Sequence, residues 1–304
     1  MFKRIVLVIL IIMTASQIAI AKKGKAGWLI FRKARSAKFK PITVTPVMAV
    51  RGDLAGLFYN PAVLSLNQYK EVFLLSELGL TNDVFGGAVY GHPMGKGCVA
   101  GGLIYYNAGR MELNWIEGGE LKTQEVTAQK DLLGIISYGR RFRENISLGL
   151  TLKIATSRLF EKASATAFAG DIGVLYFPPW EKLTVSAAVQ NLGTSSRFVD
   201  KANPLPFSGF VGAGYLIEKK GYYLAPGFDL TYLFDEQRII PEIGFELGRD
   251  ALSMNFGYRL NVEEASWHFG LTFLRPRYDI AYAFLPGIHL NSTHRISVGY
   301  RFGR

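Results

Sequence analysis

Strict alternation of apolar and polar residues, sustained along most of the chain, limits what this sequence can become. In Ile146-Ser-Leu-Gly-Leu-Thr-Leu-Lys-Ile154 every second residue is large and apolar, with Ser147, Gly149, Thr151 and Lys153 between. Leu252 to Leu260 sets Leu252, Met254, Phe256, Tyr258 and Leu260 against Ser253, Asn255, Gly257 and Arg259. The last such run sets Ile296, Val298, Tyr300 and Phe302 against Ser297, Gly299 and Arg301. A period of two means strand, because successive side chains point to opposite faces.

Fourteen alternating segments follow one another, centred on 71–80, 83–91, 98–107, 130–140, 146–156, 166–177, 183–192, 207–217, 222–234, 239–248, 251–261, 266–275, 278–286 and 294–302. Most have the length that a tilted strand needs to cross a bilayer. An even number leaves both chain ends on one side of the membrane. The even-numbered connections are tight: 92–97, 141–145, 178–182, 218–221, 249–250 and 276–277. The longest, 108–129 and 193–206, are odd-numbered, as expected for short periplasmic turns and longer outer loops. The connections near Thr81-Asn82 and Asp235–Arg238 are short exceptions. A soluble β-sandwich also alternates, but it needs neither spanning strand length nor long loops at one end only. The expected fold is therefore all-β, a transmembrane antiparallel barrel of about 14 strands.

Composition agrees. Charged residues are 19%, below the roughly 25% of soluble domains, and there are 33 Gly, 15 Tyr and 21 Phe. Tyr105, Tyr106, Tyr138, Tyr176, Phe177, Tyr232 and Phe234 fall at strand ends, where interfacial aromatic girdles belong. Cys98 stands alone, so the chain has no disulfide framework.

Residues 1–21 read as a cleaved signal peptide. Lys3 and Arg4 precede the apolar run Ile5–Met13, and Ala19-Ile20-Ala21 is a small-x-small site that leaves Lys22 at the mature end. The apolar run is too short for a membrane-spanning helix. The chain divides into 1–21, a basic N-terminal plug segment 22–70 and the barrel 71–304. Export to the outer membrane of a Gram-negative-type bacterium argues against nucleic acid as the partner of a chain with a formal charge of +11, or +9 without the leader. Outer-membrane lipid is the better counterpart.

Gly52-Asp-Leu-Ala-Gly-Leu-Phe-Tyr-Asn-Pro-Ala-Val-Leu64 predicts two short helical turns. Asp53 caps the first by accepting from orphan backbone N–H groups. Asn60 caps the second, with Pro61 at the first helical position, where its missing N–H costs nothing, and Ala62 behind it.

That pattern, read as Arg51-Gly-Asp-x-Ala-x-Leu-Phe-Tyr-Asn-Pro-Ala62 just before the first strand, resembles the N-terminal signature of the PorV/PorQ family of outer-membrane proteins, within the FadL-like superfamily. Ala187-Ala-Val-Gln-Asn-Leu-Gly193 is similar to the family's mid-barrel motif, and His294-Arg-Ile-Ser-Val-Gly-Tyr-Arg-Phe302 to its closing strand. Ala26-Gly27 and Ala34-Arg35-Ser36 match its approach to the plug. The spacer 38–49 is longer than usual, and Gly303-Arg304 extend past the aromatic at which the family commonly stops. The resemblance implies a barrel occluded by the segment carrying Asn60-Pro61-Ala62, acting in uptake of a hydrophobic small-molecule ligand or beside secretion-system subunits of type IX.

The signatures of catalysis are missing from the sequence. His92, His268, His289 and His294 are scattered without metal-ligand spacing. No phosphate loop, Gly-x-Ser-x-Gly elbow or Cys-x-x-Cys occurs. Neither a catalytic nor a metal site is expected, and no cofactor. His268, between Trp267 and Phe269, should face the lumen. So should Asp171, Asp229, Arg259 and Arg301, either as solvated lining or as ligand contacts. Pro226-Gly227 and Pro286-Gly287 could open wall hydrogen bonds, because Pro supplies no donor. That feature suits a transporter releasing cargo sideways, whereas an interaction protein would dock through 108–129 and 193–206.

Overall fold

The computed structural model describes residues 27–33, 36–38, 52–79, 83–180, 182–198, 203–262, 266–287 and 292–303. The leader 1–21, Ala26, Ala34-Arg35 and Arg51 lie outside the described residues.

Seventeen strands follow in chain order: β1 (Lys70–Leu78), β2 (Val84–Met94), β3 (Gly97–Asn107), β4 (Arg110–Glu117), β5 (Glu120–Thr127), β6 (Gln129–Arg143), β7 (Ile146–Leu159), β8 (Ala163–Tyr176), β9 (Leu183–Ser195), β10 (Ser208–Tyr215), β11 (Ile217–Lys219), β12 (Tyr222–Leu233), β13 (Arg238–Arg249), β14 (Leu252–Arg259), β15 (Trp267–Leu274), β16 (Tyr278–Leu285) and β17 (Thr293–Phe302). Every pairing is antiparallel; β4 and β5 form a ribbon of their own, and β3 pairs across it with β6. β1 pairs with β17, and β10 with β12, so the sheet closes on itself with 14 wall strands and β11 continuing β10. Closure removes every edge, the condition for carrying backbone polar groups through hydrocarbon.

The alternation turns its apolar side outward. On β7, Leu148, Leu150, Leu152 and Ile154 are exposed, while Ser147 and Thr151 are buried. On β14, Leu252 and Met254 are exposed and Ser253 and Asn255 buried. A soluble sandwich would reverse this. Apolar outside and polar inside is the transmembrane arrangement. Aromatic clusters sit near the rims: Phe207 stacks on Phe234 at 4.2 Å, Tyr258 meets Trp267 at 4.3 Å and Tyr90 stacks on Phe302 at 6.3 Å.

Two expectations need correction, on Tyr106 with Phe177 and on Pro286, and the long connection 108–129 gains detail. Tyr106 faces inward and is buried, and Phe177 packs on the inner apolar cluster, so neither belongs to a lipid-facing girdle. The long connection 108–129 is an ordered hairpin, β4–β5, turning at Gly118-Gly119, whose φ values of 62° and 86° suit a tight two-residue turn. Pro286 lies beyond the end of β16 and breaks no wall bond.

Candidate functional site

The N-terminal segment lies inside the barrel. It holds a short helix α1 (Leu29–Lys33) and two 3-10 turns, η1 (Leu54–Phe58) and η2 (Pro61–Leu66). Both caps form as the residue types dictate. Asp53 Oδ1 accepts from Ala55 N at 2.9 Å, and Asn60 Oδ1 accepts from Ala62 N at 2.9 Å with Pro61 leading the turn. Gly52 precedes them at φ +63°, where a Cβ would fall 2.2 Å from Leu66 O, so only glycine lets the chain fold back here.

Apolar packing fixes the segment from within. Trp28, Ile30, Leu54, Leu57, Tyr59 and Leu64 are fully buried and share one cluster with Phe73, Phe85, Ile104 and Leu133 of the wall. η2 lies in a trough of glycines. Gly139, Gly149 and Gly173 sit at paired register positions on β6, β7 and β8. A Cβ on them would come within 2.5 Å of Pro61 O, 2.2 Å of Ala62 N and 1.9 Å of Asn60 Oδ1, respectively. The wall meets the backbone of η2 at Gly139 and Gly149 and the Asn60 amide at Gly173, because these three positions carry no side chain.

Polar contacts then set the segment's position along the wall. Asn60 Nδ2 donates to Val174 O at 2.9 Å, Ser186 Oγ at 2.9 Å and Ala187 O at 3.2 Å. Gln190 Nε2 reaches back from β9 to Phe58 O and Tyr59 O at 3.1 and 3.0 Å. Three cations of the segment meet carboxylates. Arg32 pairs with Asp235 and Glu236, each at 2.7 Å. Lys33 pairs with Glu77 at 2.7 Å and with Asp83. Lys38 pairs with Asp53 at 2.9 Å and with Asp279 of β16. Arg301 shares Asp279 and lies 3.8 Å from Glu71. Lys38, Glu71 and Asp279 are buried, so each charge is balanced by neighbours rather than by water.

The four polar candidates all face inward but serve separate clusters. Asp171 on β8 pairs with Lys153 at 2.7 Å and accepts from Asn191 N at 2.8 Å, pinning a bulge in β9 at which Asn191 takes φ 59°. Arg301 belongs to the Lys38 cluster. Asp229 and Arg259 flank Glu242 at paired register positions on β12, β13 and β14, with His268 Nδ1 3.9 Å from Glu242. The sequence reading missed Lys38, Glu71, Glu77, Asp279 and Gln190. Inward charge on β1 and β16 was the available signal for three of them.

Among the described residues, one space between segment and wall measures about 10 Å³ and is lined by Phe31, Leu57, Phe58, Ile135, Lys153 and Asp171 among others. That holds at most one water, so a solute must displace the segment to pass there. Pro226 interrupts the wall on one side of β12. Its pairing toward β10 stops at Gly214↔Gly227 and resumes on β11 at Ile217↔Leu224, while pairing with β13 runs unbroken through Pro226↔Phe245. Leu216 N keeps the β9 side closed by donating to Lys182 O at 2.9 Å.

These features define a closed transmembrane β-barrel with its own N-terminal segment packed in the lumen. No protein-family model and no curated protein matches the sequence. Among solved structures, the toluene transporter TodX of Pseudomonas putida is similar over 86% of this chain and 98% of its own, with a TM-score of 0.56 and 12% identity. The CymD monoaromatic hydrocarbon channel is similar over 86% of this chain and 98% of its own, with a TM-score of 0.52 and 12% identity. At that identity the likeness is one of fold.

Proposed function

We propose that this protein is an outer-membrane channel of the PorV/PorQ kind, FadL-like in build, that moves small hydrophobic molecules across the outer membrane. Residues 1–21 serve as the export signal, and 22–70, carrying Asp53, Asn60, Pro61 and Ala62, serve as the plug. The observation that carries the reading is a lumen filled by a segment held through capped turns, glycine contacts and ion pairs. An ion-conducting pore needs open water. A carrier of apolar solutes needs a closed path with apolar walls that opens on demand. The fold shared with monoaromatic hydrocarbon channels supports this direction. Cargo enters from outside, meets the apolar cluster around Phe31 and Phe58, and leaves past the plug or through the wall at Pro226. Asp171, Asp229, Arg259 and Arg301 orient the lumen rather than react. The test is uptake of radiolabelled toluene by cells with and without the gene. Slower entry without the protein, restored by complementation, is the expected result. Equal entry removes the reading.

A second reading is favoured by the β4–β5 ribbon, which projects from the wall with Trp115, Ile116 and Leu121 exposed. It would make the barrel a docking partner in secretion or cell-surface attachment. Under that reading, removing 110–127 stops delivery of a surface protein and leaves toluene entry unchanged.

A further inference from the structure

Two groups of glycines in this barrel differ in what they face. Gly139, Gly149 and Gly173 face the lumen, where a Cβ would strike the inner segment. Gly101 on β3 and Gly134 on β6 lie on the lipid-facing side, and nothing inside the barrel requires them. A Cβ on Gly101 would meet only Ile135 O at 3.7 Å, and one on Gly134 would come no closer than 3.4 Å, to Ile154 Cγ2. Those are ordinary contacts. Glycine weakens a strand, and at a lipid-facing position a larger apolar residue is the favourable choice. What the two glycines do provide is a depression.

Its geometry follows from the register. Leu103, Gly134, Ile154 and Phe168 form one row across β3, β6, β7 and β8, and Gly101, Ile136, Leu152 and Gly170 form the next. Gly101 and Gly134 are therefore diagonal neighbours, and Leu103, Ile136, Leu152, Ile154 and Phe168 stand around them. The resulting groove has a volume of about 470 Å³. Its five flanking side chains are all exposed on the outer face. Lys153 also borders it, but its ammonium is committed inside to Asp171 and to Asn191 Oδ1 at 2.8 Å.

We propose that this groove is a binding site for one acyl chain of a bilayer phospholipid. The groove is continuous with the lipid-facing belt and opens mid-strand, where the surrounding medium is hydrocarbon. An apolar concavity is not filled by water. Left empty, its lining forfeits dispersion contacts, whereas a chain lying in it gains them on three sides. A flat stretch of wall offers a lipid only one. The chain held here is a resident of the wall, distinct from cargo inside the lumen.

The experiment is native mass spectrometry of the full-length protein taken from palmitoyl-oleoyl phosphatidylethanolamine vesicles into mild detergent. Gly134→Leu and, as a second variant, Gly101→Leu fill the groove. Ala213→Leu places the same side chain at an exposed position of β10, away from the groove. Wild type and Ala213→Leu should retain a phospholipid adduct that both glycine variants lose while keeping the heat-resistant folded band. Equal retention by the glycine variants overturns the proposal, as does absence of any adduct on wild type. Conversion from dimer to monomer in the glycine variants also overturns it, assigning the groove to a second copy of the chain. Replacement of the adduct by added toluene overturns it too, assigning the groove to cargo.

Discussion

Gly173 on β8 faces Asn60 of the inner segment so closely that a Cβ at Gly173 would lie 1.9 Å from the Asn60 Oδ1. The same trough places Ala62 N 2.2 Å from the Cβ position of Gly149. At Gly149 the opposing atoms are backbone, which cannot yield as a flexible side chain can, and at Gly173 they are the Asn60 amide and the Pro61 ring, which the hydrogen bonds of Asn60 hold in place. Gly149→Ala and Gly173→Ala should therefore push η2 off the wall without breaking strand pairing. The folded barrel should still run as a heat-resistant band, while single-channel recordings show frequent openings that wild type lacks. Silent recordings from both variants would mean that the trough does not hold the segment.

Asn60 does two jobs that substitution separates. Its Oδ1 caps η2, worth about 0.5–2 kcal/mol, and its Nδ2 donates to Val174 O, Ser186 Oγ and Ala187 O. Asn60→Ala loses both. Asn60→Asp keeps a cap acceptor but turns a carboxylate toward two carbonyl oxygens. Leakage of a small dye from vesicles should rise for both variants, with Asn60→Asp at least as leaky as Asn60→Ala. A tight Asn60→Asp barrel would show that the cap alone matters.

Lys38 ties the segment to β16 through Asp279. Lys38 also pairs with Asp53, so its removal leaves Arg301 as the remaining cation for two buried carboxylates, Asp53 and Asp279, and an under-compensated buried charge is destabilising. Lys38→Met should thus loosen the segment, seen as faster proteolysis near residues 36–60 in folded barrels. Adding Asp279→Asn should recover part of the protection, because one of the two carboxylates left to Arg301 is then neutral. Additive loss in the double variant would show that the two side chains do not interact.

The wall was readable and much of its filling was not, for a physical reason. Lipid outside and polar lumen inside impose opposite demands on neighbouring residues, so alternation marked the wall strands from 70–78 to 293–302 to within a few residues. The ribbon β4–β5 projects beyond both media, and its exposed residues carry no such contrast, though Gly118-Gly119 marked its turn. Tyr106 and Phe177 look alike to any rule that places aromatics at strand ends, and only the inner segment draws them to the core. The caps at Asp53 and Asn60 were legible because they are local. The trough of Gly139, Gly149 and Gly173 was not, because glycine carries no polarity and its meaning appears only when three strands are in register. The Lys38–Asp279 pair joins distant parts of the chain, and no periodicity reports it.

The lipid-facing assignment makes a depth-dependent prediction on a single strand. Leu152 lies mid-strand in β7 and is 60% exposed, whereas Leu148 lies near the short-turn end and is 41% exposed. An Arg at the bilayer midplane costs about 2–4 kcal/mol, falling to about 0–1 near the interface. Equilibrium folding into bilayers should therefore penalise Leu152→Arg more than Leu148→Arg. Equal penalties would contradict the orientation of β7.

Closure of the lumen by the N-terminal segment underlies both the ion pairs and the proposed route. Planar-bilayer conductance tests it directly, comparing the wild-type barrel with one lacking residues 22–64. Wild type should be nearly silent. The deletion should insert, keep its heat-resistant band and conduct steadily, since the wall strands satisfy their own backbone bonds. A deleted barrel that folds and conducts no more than wild type would contradict the account.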